Sequence, residues 1–196
     1  MTTAAIVLAG GRGTRLGGVD KAAVKVGGRP LVDHVYAAVD GFPIVAVGPS
    51  SVHRPGVRVV REAPPFGGPV AAIAAALDAL GDTDETWLLA CDLPRADRIV
   101  GALHAEAIGD DDGVVLIDRD GRTQWLAGRY RVAALRDAVA ALPDVVGASM
   151  RQLVGGLRLR TVDDTVEASV DIDTRDELRA FDDLAAHSPR TEDSHR

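Results

Sequence analysis

Ala4-Ala5-Ile6-Val7-Leu8-Ala9-Gly10-Gly11-Arg12-Gly13-Thr14-Arg15-Leu16-Gly17-Gly18-Val19-Asp20-Lys21 passes from a short apolar run straight into a loop of five glycines and three basic residues. An uninterrupted apolar run that stops at Gly-Gly reads as a strand buried on both faces and feeding a loop. The pattern recurs. Ile44-Val45-Ala46-Val47 stops at Gly48-Pro49, Val57-Arg58-Val59-Val60 stops before Pro64-Pro65, and Trp87-Leu88-Leu89-Ala90 stops at Cys91-Asp92. Helical stretches fall between and after them: Pro30 to Val39, Val70 to Leu80 and about Asp97 to Ile108. Short apolar strands alternating with helices predict an α/β protein of three α/β/α layers around a mostly parallel, Rossmann-like sheet.

After Gly113 the rhythm changes. Val114-Val115-Leu116-Ile117 and Trp125-Leu126-Ala127 flank Asp118-Arg119-Asp120-Gly121-Arg122. An Asp-Gly pair between apolar runs signals a hairpin, so an antiparallel excursion is expected there. A helix from Val132 to Leu142, a short helix near Ser149 to Val154 and a strand around Leu157 to Thr161 follow. Thr174 and Glu177 match a capping box that would open a last helix after Ser169-Val170-Asp171-Ile172-Asp173. From about His187 the chain is polar and aperiodic, which predicts one domain over 1–186 and a disordered tail over 187–196.

With 196 residues and 46% hydrophobic content, one substantial core is expected. No apolar stretch approaches the roughly 20 residues of a membrane span, and the start lacks signal-peptide features, so a cytoplasmic protein is expected. Cys91 is the only cysteine, and His34, His53, His104, His187 and His195 fall at no zinc-site spacing. Any metal must therefore be held by oxygen. A net charge of −7 argues against nucleic acid as a partner. Yet Arg12, Arg15, Lys21 and Lys25 bunch near the N-terminus, where a local field suits a small anionic ligand.

In a doubly wound sheet, ligands bind beyond the carboxyl ends of strands, where the glycine loop sits. Glycines let backbone N–H groups approach phosphate oxygens. Gly10, Gly11, Arg12, Gly13 and Thr14 are thus candidate nucleotide contacts, with Arg15 and Lys21 neutralising charge on a leaving pyrophosphate. The dinucleotide fingerprint fails because Leu16 occupies its third glycine position, and no Gly-Lys-Ser/Thr occurs for a P-loop.

Asp92 directly follows an apolar strand and is the first candidate ligand for Mg²⁺, which favours one or two carboxylates plus phosphate oxygens. The plain alternative is a turn or helix-capping aspartate. Asp171 and Asp173, two apart on a strand, share a face and are further metal candidates; alternatively, Asp173 only prepares the turn into the next helix. Asp110-Asp111-Asp112 reads as a solvated charge run. Cys91 lacks an adjacent base and reads as an ordinary buried cysteine. In Glu62-Ala63-Pro64-Pro65-Phe66-Gly67-Gly68-Pro69-Val70, Pro69 suits a first helical turn, and amides opened by Gly67-Gly68 can receive a base edge or ribose.

These motifs, in this order, resemble the MobA-like nucleotidyltransferases, and the molybdenum cofactor guanylyltransferase branch in particular. The glycine loop resembles L-A-G-G-x-x-x-R-M/L-G-x-x-D-K, Gly68-Pro69 the family's G-P-L-A-G, and Cys91-Asp92-Leu93-Pro94 its C-D-x-P strand end. The resemblance implies a nucleotide-diphospho-sugar transferase type of fold and transfer of GMP from GTP to the phosphate of molybdopterin, with Mg²⁺ on Asp92. It also implies GTP contacts from Leu8, Ala9, Gly10, Lys21, Glu62 and Asp92, and protein partners among molybdoenzymes or cofactor-biosynthesis proteins. Departures are Glu62 for the usual aspartate, Gln124 where a histidine is frequent, and Arg175 where proline is usual. A related transferase using CTP, a sugar phosphate or phospholactate stays open at this point, as does a nucleotide-binding protein without turnover.

Overall fold

The computed structural model describes residues 1–10, 21–165 and 168. Its centre is β1 (Thr3–Leu8), with Ala5, Ile6 and Val7 completely buried. Neighbouring side chains on a strand point to opposite faces. Ala5 and Val7 accordingly enter one apolar layer with Val35, Val39, Ile99 and Leu103, while Ile6 and Leu8 enter the other with Ile73, Leu77, Leu135 and Leu153. Two buried faces explain why the strand reads as continuous apolar sequence rather than alternation.

After β1 come a small hairpin of β2 (Lys25–Val26) and β3 (Arg29–Pro30), then α1 (Leu31–Ala38), β4 (Ile44–Val47), β5 (Val57–Val60) and α2 (Pro69–Ala79). The chain continues through β6 (Glu85–Ala90), α3 (Ala96–His104), β7 (Gly113–Ile117), β8 (Thr123–Arg131), α4 (Val132–Ala140), α5 (Met150–Val154) and β9 (Leu159–Asp163). Among the described residues, seven strands form one sheet in the order β5-β4-β1-β6-β8-β7-β9. β1 runs parallel to both β4 and β6, and β5 is parallel to β4. Among these described strands only β8 is reversed, lying antiparallel to β6 and β7, while β9 returns parallel to β7. The excursion expected after Gly113 is thus a single inserted strand. No helix among the described residues is long and apolar enough to cross a membrane.

α5 is fastened by a capping box: the Gln152 N–H donates to Ser149 Oγ at 3.3 Å, and the Ser149 N–H donates to Gln152 Oε1 at 2.8 Å. α3 stops at His104 rather than reaching Ile108, because the Glu106 N–H turns back to the Leu103 carbonyl. Ile108 is still buried, as an anchor of the loop into β7. The acidic run is a further correction. Asp112 is not merely solvated, since its carboxylate accepts from the Arg158 N–H at 2.8 Å and ties down the approach to β9. The capping box expected at Thr174 and the tail over 187–196 lie outside the described residues.

β8 carries a bulge. Val115 pairs with Gly128 but Leu116 with Gln124, so Trp125, Leu126 and Ala127 have no opposite number on β7. The buried Tyr130 hydroxyl donates to the Trp125 carbonyl at 2.7 Å, and burial pushes its pKa up, keeping it a neutral donor. Two glycines make room for this ring. A Cβ on Gly113 would lie 2.8 Å from Tyr130 Cδ1; one on Gly128 would lie 2.6 Å from Val115 Cγ1 and 3.0 Å from Tyr130 Cε2. Gly128→Ala is therefore expected to lower unfolding free energy by about 1–3 kcal/mol through overpacking. Urea unfolding measures this, and an unchanged midpoint would show that the bulge yields freely.

Candidate functional site

The chain adds β4 and β5 on one side of β1 and then crosses to place β6 on the other. Strand order therefore reverses between β1 and β6, and the crevice beyond their carboxyl ends is where an open α/β sheet receives a ligand. Both strands finish level: Leu8 pairs with Ala90, the Cys91 N–H donates to the Leu8 carbonyl at 3.0 Å, and the Ala9 N–H donates to the Val47 carbonyl at 2.8 Å. Leu8 and Ala9 are buried while Gly10, the first residue of the glycine-rich stretch, is exposed at this rim.

Lys21 and Asp92 meet there, the Lys21 Nζ donating to Asp92 Oδ2. Each is held by buried neighbours. Ala22 is packed into the core within the short 3-10 turn Lys21–Ala23, and Cys91, Leu93 and Pro94 bracket Asp92 in buried positions. Asp92 does not cap α3, whose N-cap is Arg95 with no side-chain cap bond. Its side chain is 14% exposed, against 23% for Lys21. The other oxygen, Asp92 Oδ1, is buried and has no hydrogen-bond partner among the described residues. A buried carboxylate oxygen without a partner is costly, and a hard cation is a natural complement to it beside the Lys21 ammonium. No group of three His, Cys, Asp or Glu among the described residues could hold a metal ion by itself. A cation on Asp92 would thus take further ligands from bound phosphates or from outside the described set.

The third wall is the loop from β5 to α2. The half-buried Glu62 puts Oε1 3.8 Å from the point where a Cβ on Gly10 would sit, and the same oxygen accepts from the Phe66 N–H at 3.0 Å. Gly68 is the N-cap of α2 with φ 95° and no side-chain cap, and Pro69 follows at the first helical position. First-turn amides left without a side-chain cap point outward and favour polar or anionic groups. The loop is braced by the Gly147 N–H donating to the Gly67 carbonyl at 2.8 Å.

Lys21, Asp92, Leu8, Ala9, Gly10, Glu62, Gly68 and Pro69 thus occupy the rim. Gly11, Arg12, Gly13, Thr14, Arg15, Asp171 and Asp173 lie outside the described residues. Sequence reasoning passes over Gly48, which reads as a simple strand stop. A Cβ there would lie 3.0 Å from the Ala9 carbonyl oxygen and 3.1 Å from Ala9 Cβ, so only glycine lets the end of β4 press against the start of the loop. Gly147 is also missed, since a brace between distant loops leaves no local signal. Cys91 is buried and in no disulfide, as expected.

A family model described as MobA-like NTP transferase domain matches residues 5–162. The molybdenum cofactor guanylyltransferase of Cupriavidus necator is 33% identical over 192 residues, covering 90% of this chain and 94% of that protein. The enzyme of the same name from Acidiphilium cryptum is 36% identical over 138 residues, 66% of this chain and 67% of its own. Among solved structures, molybdopterin-guanine dinucleotide biosynthesis protein A from Archaeoglobus fulgidus aligns with a TM-score of 0.71 at 18% identity, covering 94% of this chain and 99% of that one, a likeness of fold.

Proposed function

Because the chain belongs to the family of MobA-like NTP transferase domains, we propose that it transfers GMP from GTP to the phosphate of molybdopterin and releases pyrophosphate. The observation that supports this most is the meeting of Lys21 with Asp92 at the strand-order reversal, one oxygen of the carboxylate still buried and open. The reading takes 1–186 as the transferase unit and hands the product to molybdoenzymes or cofactor-biosynthesis proteins.

The roles follow from chemistry. Amides of Gly10, Gly11, Gly13 and Thr14, with Arg12, cradle the triphosphate, while Lys21 and Arg15 neutralise the leaving pyrophosphate. Lys21 is already aimed into the crevice by its pairing with Asp92, so little reorganisation is needed when phosphate replaces the carboxylate. Glu62, Gly68 and Pro69 face the base and ribose. Asp92 would hold Mg²⁺, aided by Asp171 or Asp173, and when bound that ion supplies charge neutralisation on the α- and β-phosphates. The acceptor phosphate attacks the α-phosphorus in line with the departing pyrophosphate. With a second pKa near 6, that phosphate is largely ionised at pH 7 and needs no general base.

The test presents GTP, CTP, ATP and UTP in turn with molybdopterin, 2-phospholactate and sugar 1-phosphates, with Mg²⁺, and records pyrophosphate. GTP with molybdopterin should exceed every other pairing. Faster release from CTP, or with another acceptor, would overturn the substrate assignment while leaving the reaction class; no release with any pairing would overturn both.

A further inference from the structure

The proposed reaction needs Lys21 on a phosphate and Asp92 on a cation, yet in the free protein the two side chains are on each other. Both are largely shielded from solvent, so the attraction between them is only weakly screened. The backbones around the pair are fixed. Ala22 is buried beside Lys21, and the Val24 N–H closes the short turn on the Lys21 carbonyl at 3.2 Å. On the other side, the Cys91 N–H is held by Leu8 and the Ala96 N–H by the Leu93 carbonyl at 3.2 Å. Lysine is the longer and more flexible arm, and a compact ammonium on such a stem suits a swing between two anionic partners.

Charge decides what the pair admits. Asp92 Oδ2 carries the ammonium, while Oδ1 is buried without a partner. A divalent cation drawn to Oδ1 would stand against the ammonium on the same carboxylate, so the two compete for one negative charge. No group of three His, Cys, Asp or Glu among the described residues is present to offset that repulsion. A triphosphate reverses the balance, because its oxygens receive the ammonium and also supply ligands to the cation. We infer that Lys21 is a stand-in cation on Asp92: it keeps the carboxylate from taking a divalent ion until a triphosphate draws the ammonium away, which makes nucleotide and metal binding cooperative. This rests on the nucleotide reading above. Linkage then requires each ligand to raise the affinity for the other by the same factor, roughly 5- to 150-fold for typical couplings.

Electron paramagnetic resonance of Mn²⁺, with no nucleotide present, tests it. Lys21→Met, uncharged and of similar length, should bind Mn²⁺ about tenfold more tightly than wild type. Adding Asp92→Asn to that variant should abolish the gain, which separates the site from the other acidic groups of a chain with net charge −7. Equal affinity in wild type and Lys21→Met, or a gain that survives Asp92→Asn, would overturn the stand-in. Wild type offers an independent readout if Lys21→Met fails to fold. Lys21 and Lys25 are the only two lysines, so nitrogen-labelled lysine gives two ammonium signals to assign. The Lys21 signal should shift with inorganic tripolyphosphate and stay in place with Mg²⁺ alone; the opposite pattern, or no shift with either, would overturn the proposal. Wild type that bound no GTP in the presence of Mn²⁺ would instead overturn the nucleotide reading while leaving the Mn²⁺ comparison intact, so the two failures are separable.

Discussion

Asp92→Ala should reduce kcat/KM for GTP by about 10³-fold or more and leave the fold standing. The size follows from what is removed: the one described carboxylate with an open buried oxygen at the crevice, and with it the anchor for charge neutralisation on the phosphates. The fold should survive because Asp92 caps no helix and both β1 and β6 finish their pairing before it. Truncation also removes a buried acceptor that has no partner, offsetting the lost ion pair with Lys21, so unfolding free energy should move by no more than about 1 kcal/mol. Steady-state pyrophosphate release and thermal unfolding check both halves. Turnover near wild type would remove Asp92 from the reaction; an unfolded variant would show its role to be structural.

Lys21→Ala should raise KM for GTP and lower kcat, for a combined loss of about 10²-fold in kcat/KM, since one charged donor to the departing pyrophosphate is gone. A pure KM effect would mean Lys21 grips ground state and transition state alike; a fall in kcat means it acts mostly as charge develops. Lys21→Arg should recover only part of the loss, because a guanidinium fork cannot occupy the position of a compact ammonium seated on Asp92. Kinetics indistinguishable from wild type would exclude Lys21 from the site. The same variant leaves the Asp92 carboxylate without its cation, so some loss of stability should accompany the kinetic defect.

Much of the layering is legible because buried parallel strands leave uninterrupted apolar runs. Ile44–Val47 and Val57–Val60 end where the sequence stops being apolar, and Asp92 emerges at the carboxyl edge for the same reason. Spatial order is not legible in that way. That β6 lies beside β1, and that β8 wedges between β6 and β7, depends on contacts between residues far apart in the chain. The hairpin of β2 and β3 is missed because two-residue strands carry no periodicity. Phe66 shows the clearest limit. Its backbone is left-handed, at φ 64°, which nothing in the local sequence requires, and its N–H is held by Glu62 Oε1. Gly48 and Gly147 matter through neighbours distant in sequence, Ala9 and Gly67, which no local reading reveals.

The central claim is that the start of the glycine loop, Lys21 and Asp92 act on one metal-bound triphosphate. Crystals grown with GTP and Mn²⁺ in place of Mg²⁺ test it most directly, because anomalous scattering locates the metal independently of the protein. The expected result is a single strong peak within coordination distance of the Asp92 carboxylate and the α- and β-phosphates, with the Lys21 ammonium moved from Asp92 onto phosphate. Metal and triphosphate bound away from the β1–β6 crevice, with the Lys21–Asp92 pair undisturbed, would contradict it.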